Sequence, residues 1–190
     1  MNPPRFLLIL SVHSNLLRAA LVTRDLKMVS SAQQTFQIAD DEFDPAEVWY
    51  KTKKVIAACL DIGRTPTREI AGIAFVTPEM ERVEWEIENQ EIVARGKMVE
   101  QAPSVQHQAS NAMFSGMLSA WLLWNLTGAL QMSDGGDFLK TRVRAPFDAE
   151  IPIVLRMREK DARAEWLDEN VLETDRAILG TARRAWKMVN

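Results

Sequence analysis

The chain has 190 residues, 47% of them hydrophobic and 26% charged, with a formal net charge of −3. That length holds one well-cored domain, or one domain with an appendage, and the apolar content excludes a disordered chain. The mildly acidic balance gives no reason to expect nucleic acid as a partner.

The one cysteine, Cys59, excludes an internal disulfide and fits a reducing compartment. It falls in an apolar helical pattern, which predicts a packed thiol rather than a nucleophile. The apolar stretches Phe6–Leu10 and Ala112–Leu126 fall short of the ~20 residues a membrane span needs, and Ser115, Ser119 and Asn125 interrupt the second. The expectation is a soluble, cytoplasmic protein with no membrane partner.

In chain order, Phe6–Leu10 is an apolar run suited to a strand buried on both faces. Val12–Asn15 is polar and turn-like, Leu16–Thr23 is apolar again, Arg24–Lys27 is a second turn, and Met28–Phe36 reads as a third strand. The result is an antiparallel β-meander. Asp44 then offers an N-cap, Pro45 suits the first helical position and Glu47 completes a capping box, so a helix is expected from Pro45 to about Asp61. Val48, Thr52, Val55, Ile56 and Cys59 form its buried face, and Gly63 is the natural stop.

Glu69–Val76 reads as a buried strand, completing a crossover unit. Val83–Glu86 alternates as a strand. Ile92, Val93, Met98 and Val99 suit a strand and a loop. Ser110 caps an expected helix over Asn111–Leu126, ended by Gly128. Ile151–Leu155 reads either as a short strand or as the start of a helix. From Asp161 to about Met188 one or two helices are expected, with Trp166, Val171, Ile178, Ala182, Trp186 and Val189 as the stripe and Gly180 as a weak point. There are no internal repeats.

Four of these stretches together resemble the FGGY carbohydrate kinases, the family of glycerol kinase and xylulokinase. The family's first turn reads Asp-x-Gly-Thr-Thr/Ser-x-x-Arg. Here Ser11 stands for the Asp, His13 for the Gly, Ser14 and Asn15 for the hydroxyl pair, and Arg18 matches. Asp44-Pro45-Ala46-Glu47-Val48-Trp49 is similar to the family's Asp-Pro-x-x-x-Trp helix start. Ile70–Val76 resembles its Ile-x-Gly-Ile strand, and Trp121–Gly128 its Leu-Thr-Gly segment. The resemblance covers roughly residues 5–140.

The resemblance implies an α/β fold, a ribonuclease H-like or actin-like ATPase lobe with a mixed sheet, an N-terminal β-meander and flanking helices. It implies residues 1–145 as the kinase-like domain; from Pro146 onward nothing resembles the family, and 146–190 is expected as a helical extension packed on that domain. It also marks Ser11, His13, Ser14, Asn15 and Arg18 as a vestigial phosphate site, and Thr77 and Glu79 as a vestigial substrate site. At the latter, the family's Arg donor is replaced by an acidic acceptor.

The plainer reading stands beside each of these. His13 is a polar loop residue whose ring would crowd a nucleotide where only Gly allows close backbone approach. Ser14 and Asn15 are ordinary turn formers, and Arg18 an ion-pair or surface residue. Asp40-Asp41-Glu42 and Glu84/Glu86/Glu88 are solvated acidic faces, Asp134–Asp137 is too ligand-poor for calcium, and His107 has no metal-spaced partner. No Walker A, G-x-G-x-x-G, G-x-S-x-G or H-E-x-x-H motif occurs.

No catalytic residue, metal site or resident cofactor is expected. ATP and Mg²⁺ enter only if the chain is one half of a split sugar or polyol kinase completed by another chain. Otherwise the expectation is an inactive binding module that meets a protein partner or a second copy through apolar helices carrying Trp49, Trp121, Trp124 and Trp166.

Overall fold

The computed structural model describes residues 4–77, 81–88, 91–98, 114–116, 122, 142–143, 151–162 and 171–189. Strands β1 (Phe6–His13), β2 (Leu16–Thr23) and β3 (Met28–Thr35) form the expected antiparallel meander. β1 runs on through Ser11 and Val12, so the first turn is only Ser14–Asn15, tighter than the expected Val12–Asn15 turn. The pairing extends to His13 opposite Leu16, because each further residue adds a ladder bond. Ser14 takes a positive φ of 51°, which lets two residues reverse the chain.

β5 (Ile70–Thr77) lies parallel beside β1, and β10 (Ile151–Arg158) parallel beside β5. With the short β9 (Arg142–Val143) at the edge, the sheet order is β3-β2-β1-β5-β10-β9. Every residue of β1 except His13 is buried, the condition that a continuous apolar run implies. The region expected as a helical extension, 146–190, differs in kind. It places β10 inside the main sheet, next to β5, and a helix on the sheet's second face. Of the two readings offered for Ile151–Leu155, the strand is the observed one.

Helix α1 (Pro45–Gly63) covers the first face. Asp44 caps it, its carboxylate accepting from the Ala46 N–H at 2.8 Å. The capping box does not form as expected, because Glu47 accepts from the Gln37 N–H at 3.2 Å and pairs with Lys51 at 2.6 Å. Val48, Thr52, Val55, Ile56 and Cys59 are the buried face, as their spacing predicts. The helix stop needs correction. Arg64, not Gly63, adopts the left-handed conformation, at φ 48° and ψ 40°. Gly63 is required for closeness: a Cβ there would lie 2.8 Å from Ser30 Oγ and 2.9 Å from Leu21 Cδ1.

A second, antiparallel sheet has the order β4-β7-β6-β8, from β4 (Glu42–Phe43), β6 (Glu81–Glu88), β7 (Glu91–Met98) and β8 (Phe114–Gly116). β8 corrects the helix expected over Asn111–Leu126. Phe114 pairs with Trp85 and Gly116 with Val83, so tertiary pairing overrides the helical spacing, and Gly116 offers helix little support. Leu122 is helical and fully buried in the α1-face core. The rest of that segment, with Trp121, Trp124, Gly128 and Asp134–Asp137, lies outside the described residues.

The second face of the main sheet carries α2 (Glu159–Ala162) and α3 (Glu173–Ala185). Ala177, Ile178, Ala182, Ala185 and Trp186 pack there against Leu7, Ile9, Ala20, Val22, Ala74 and Val76. Gly180, expected as a weak point, lies buried within α3. Trp186 fixes the helix end by donating its Nε1–H to Thr23 O at 3.0 Å. Trp166 lies outside the described residues. Among the described residues, no helix is long and apolar enough to cross a membrane.

Candidate functional site

The site forms where the parallel strands end. Alternation along β1 sends Leu8, Leu10 and Val12 into the α1-face core, and Leu7, Ile9 and Ser11 to the α3 face. Pairing then aligns one row across the sheet on that face: Met157 of β10, Val76 of β5, Ser11 of β1, Arg18 of β2 and Gln33 of β3. In open α/β sheets, ligands bind beyond the carboxyl ends of parallel strands, and this row sits at that end.

Helix α3 runs back across the row. Its last turn anchors at Thr23 and its first turn lies over Arg18. Arg18 Nη1 donates to Asp175 Oδ1 in an ion pair between β2 and α3. Arg18 Nη2 reaches Ser31 Oγ at 3.2 Å and Met28 Sδ at 3.4 Å. Arg18 Nε is buried with no hydrogen-bond partner among the described residues. The Arg18 side chain is 13% exposed and that of Asp175 26%.

The structure brings Ser11 and Arg18 together as direct cross-strand neighbours, Ser11 being buried. His13 is half-buried at the end of β1, opposite Leu16. Ser14 and Asn15 are the exposed tip of the hairpin, where Asn15 O accepts from the Phe36 N–H at 3.0 Å. Three residues of strand, roughly 10 Å, separate the Arg18 position from that tip. Thr77 ends β5 one residue past the Val76–Ser11 pair, while Glu79 lies outside the described residues. Asp175 was not among the residues singled out from the sequence. Its one local signal is an acidic residue in the first turn of a helix, which is as readily explained by the helix dipole.

Among the described residues, no group of three or more His, Cys, Asp or Glu could hold a metal ion. Asp40 and Asp41 form a tight turn with positive φ at both positions, 50° and 62°, and are solvent-exposed. Cys59 is the packed thiol its pattern predicts. It is fully buried, with Ser30 Oγ donating to its carbonyl at 2.8 Å. Burial pushes the thiol pKa up, partly offset by the Ser30 hydrogen bond. Among the described residues, the site presents the Arg18 guanidinium already engaged by the Asp175 carboxylate.

No protein-family model matches this chain, and no curated protein matches it in sequence. Solved structures do. A Plasmodium falciparum glycerol kinase, solved with ADP, superposes with a TM-score of 0.63 at 10% identity, over 85% of this chain and 50% of that one. A ligand-bound xylulose kinase from Lactobacillus acidophilus gives 0.49 at 11% identity, over 66% of this chain and 34% of that one. A xylulose kinase from Rhodospirillum rubrum gives 0.43 at 17% identity, over 50% of this chain and 20% of that one. The chain thus spans about half the length of the glycerol kinase it matches. At this identity the likeness carries the fold: a mixed α/β sheet with flanking helices, whose structural neighbours are sugar kinases of the actin-like ATPase fold.

Proposed function

We propose that this chain is a degenerate N-terminal lobe of the FGGY carbohydrate-kinase type, inactive by itself, that acts by binding a protein partner or a second copy of itself. The three-stranded meander followed by two parallel strands supports the finer ribonuclease H-like reading. The observation that carries the functional reading is the carboxyl edge of β1. Ser11 is buried there, where the resemblance implies an acidic residue acting on a Mg-nucleotide, and a neutral hydroxyl does not supply the charge that holds Mg²⁺. Phosphoryl transfer depends on metal and charge stabilisation, which a neutral serine at this position does not supply.

A second reading keeps the phosphate chemistry: one half of a split ATP-dependent sugar or polyol kinase. The retained hairpin with Arg18 on its second strand favours it, as does coverage of half a glycerol kinase. Light scattering of the purified chain, followed by calorimetric titration with Mg-ATP and a panel of polyols and sugars, separates the two. A discrete dimer with no ligand heat is the outcome expected of the module. Micromolar Mg-ATP binding sinks it and favours the split kinase.

A further inference from the structure

Arg18 is a cation held almost out of water, at 13% exposure. Among the described residues one charged acceptor meets it, Asp175 Oδ1, at one nitrogen. Among the described residues Nη2 meets only the neutral Ser31 Oγ and Met28 Sδ, and Nε has no acceptor. A guanidinium engaged side-on by a carboxylate satisfies two N–H groups at once; this pair is single-pronged and therefore displaceable. Asp175 is the more exposed partner, on a helix whose N-cap residue, Leu172, makes no side-chain capping bond. The positive end of the α3 dipole adds to the Arg18 charge. Among the described residues no other carboxylate pairs with Arg18, so removing Asp175 takes the counter-charge from a nearly buried cation, a state that an anion from solution relieves.

We infer that Asp175 is a built-in counterion that closes Arg18 to outside oxyanions, an autoinhibitory contact between β2 and the first turn of α3. The inference rests on the inactive-module reading and deepens it by naming what silences the hairpin. The ligand class excluded is the tetrahedral oxyanion, for which inorganic phosphate is the probe.

The test titrates inorganic phosphate, at constant ionic strength against chloride, into the wild type, Asp175→Asn, Asp175→Ser and the double variant Asp175→Asn/Arg18→Leu. Thermal melting and calorimetry report the response. The expected result is a silent wild type, a phosphate response at least tenfold tighter in the single variants, and its loss in the double variant. A single variant that unfolds in chloride and folds in phosphate also supports the counterion role. Folded single variants as silent as the wild type overturn that role alone and leave the module reading standing. So does a response that survives loss of Arg18, or a pair of single variants unfolded in both salts. Phosphate binding by the wild type through Arg18 overturns both readings.

Discussion

The two faces of the main sheet are built from different materials. The α1 face is a core of large side chains, including Leu8, Leu10, Leu17, Leu21, Ile56, Ile73 and Phe75, all nearly inaccessible. On the α3 face, alanine supplies seven of the fourteen buried core members among the described residues, so the helix lies close to the strands with little bulk between them. That face also holds the row with Ser11 and Arg18, and a buried Thr181 hydroxyl without a partner among the described residues. Stability and site are divided between opposite sides of the same strands. Period-two alternation makes the division: neighbouring residues of β1 serve opposite faces.

The comparison breaks most sharply at Phe75. Phe75→Ala removes the largest fully packed side chain of the α1 face and should cost about 3–5 kcal/mol in urea unfolding. A loss below about 1 kcal/mol would show that this face is not the main core. Gly63→Ala should cost about 1–3 kcal/mol, because its Cβ meets Ser30 and Leu21 at contact-breaking distances. Arg64→Gly, one residue on, should instead gain about 0.5–1 kcal/mol by relieving a left-handed backbone. If both changes had the same sign, the closeness of α1 would not be what selects glycine at 63.

The α3 face predicts smaller effects of a different kind. A double-mutant cycle of Arg18→Leu and Asp175→Asn should show a coupling of about 1–2 kcal/mol, since the pair is only partly exposed. Additive variants would mean the contact is not energetically real. Thr181→Val should be neutral or raise stability by up to about 1 kcal/mol, because it removes an unsatisfied buried hydroxyl without changing shape.

The smallest effect is the pH dependence contributed by Cys59. Burial raises its folded-state pKa, so the unfolded chain loses the thiol proton first. The contribution is full below the ordinary thiol range and is lost as pH rises through and above it. Comparing wild type with Cys59→Ala by denaturant melts from neutral to alkaline pH should show a wild-type-specific decline. A parallel decline in both proteins would refute the buried-thiol origin.

Much of the first eighty residues was legible because their signals are local. The meander, the Asp44 cap and the buried face of α1 each follow from short-range alternation, turn chemistry or 3.6-residue spacing. The glycine at 63 was misread because its constraint is a neighbour's atoms, not its own dihedral. The 111–126 segment carried an apolar helical spacing that the edge of β6 overrode at Phe114–Gly116. Asp175 was invisible as a site residue because its partner lies 157 positions away.

Which residues are apolar, where the chain turns and which side of α1 is buried follow from local sequence, since those depend on neighbours a few positions apart. Only the tertiary structure decided that β10 joins β5 in the main sheet, that Phe114 pairs with Trp85, and that Asp175 meets Arg18. Each of those contacts is made by closing a long loop. Its free energy depends on the surface that the whole fold presents at that point, and no local pattern encodes that surface.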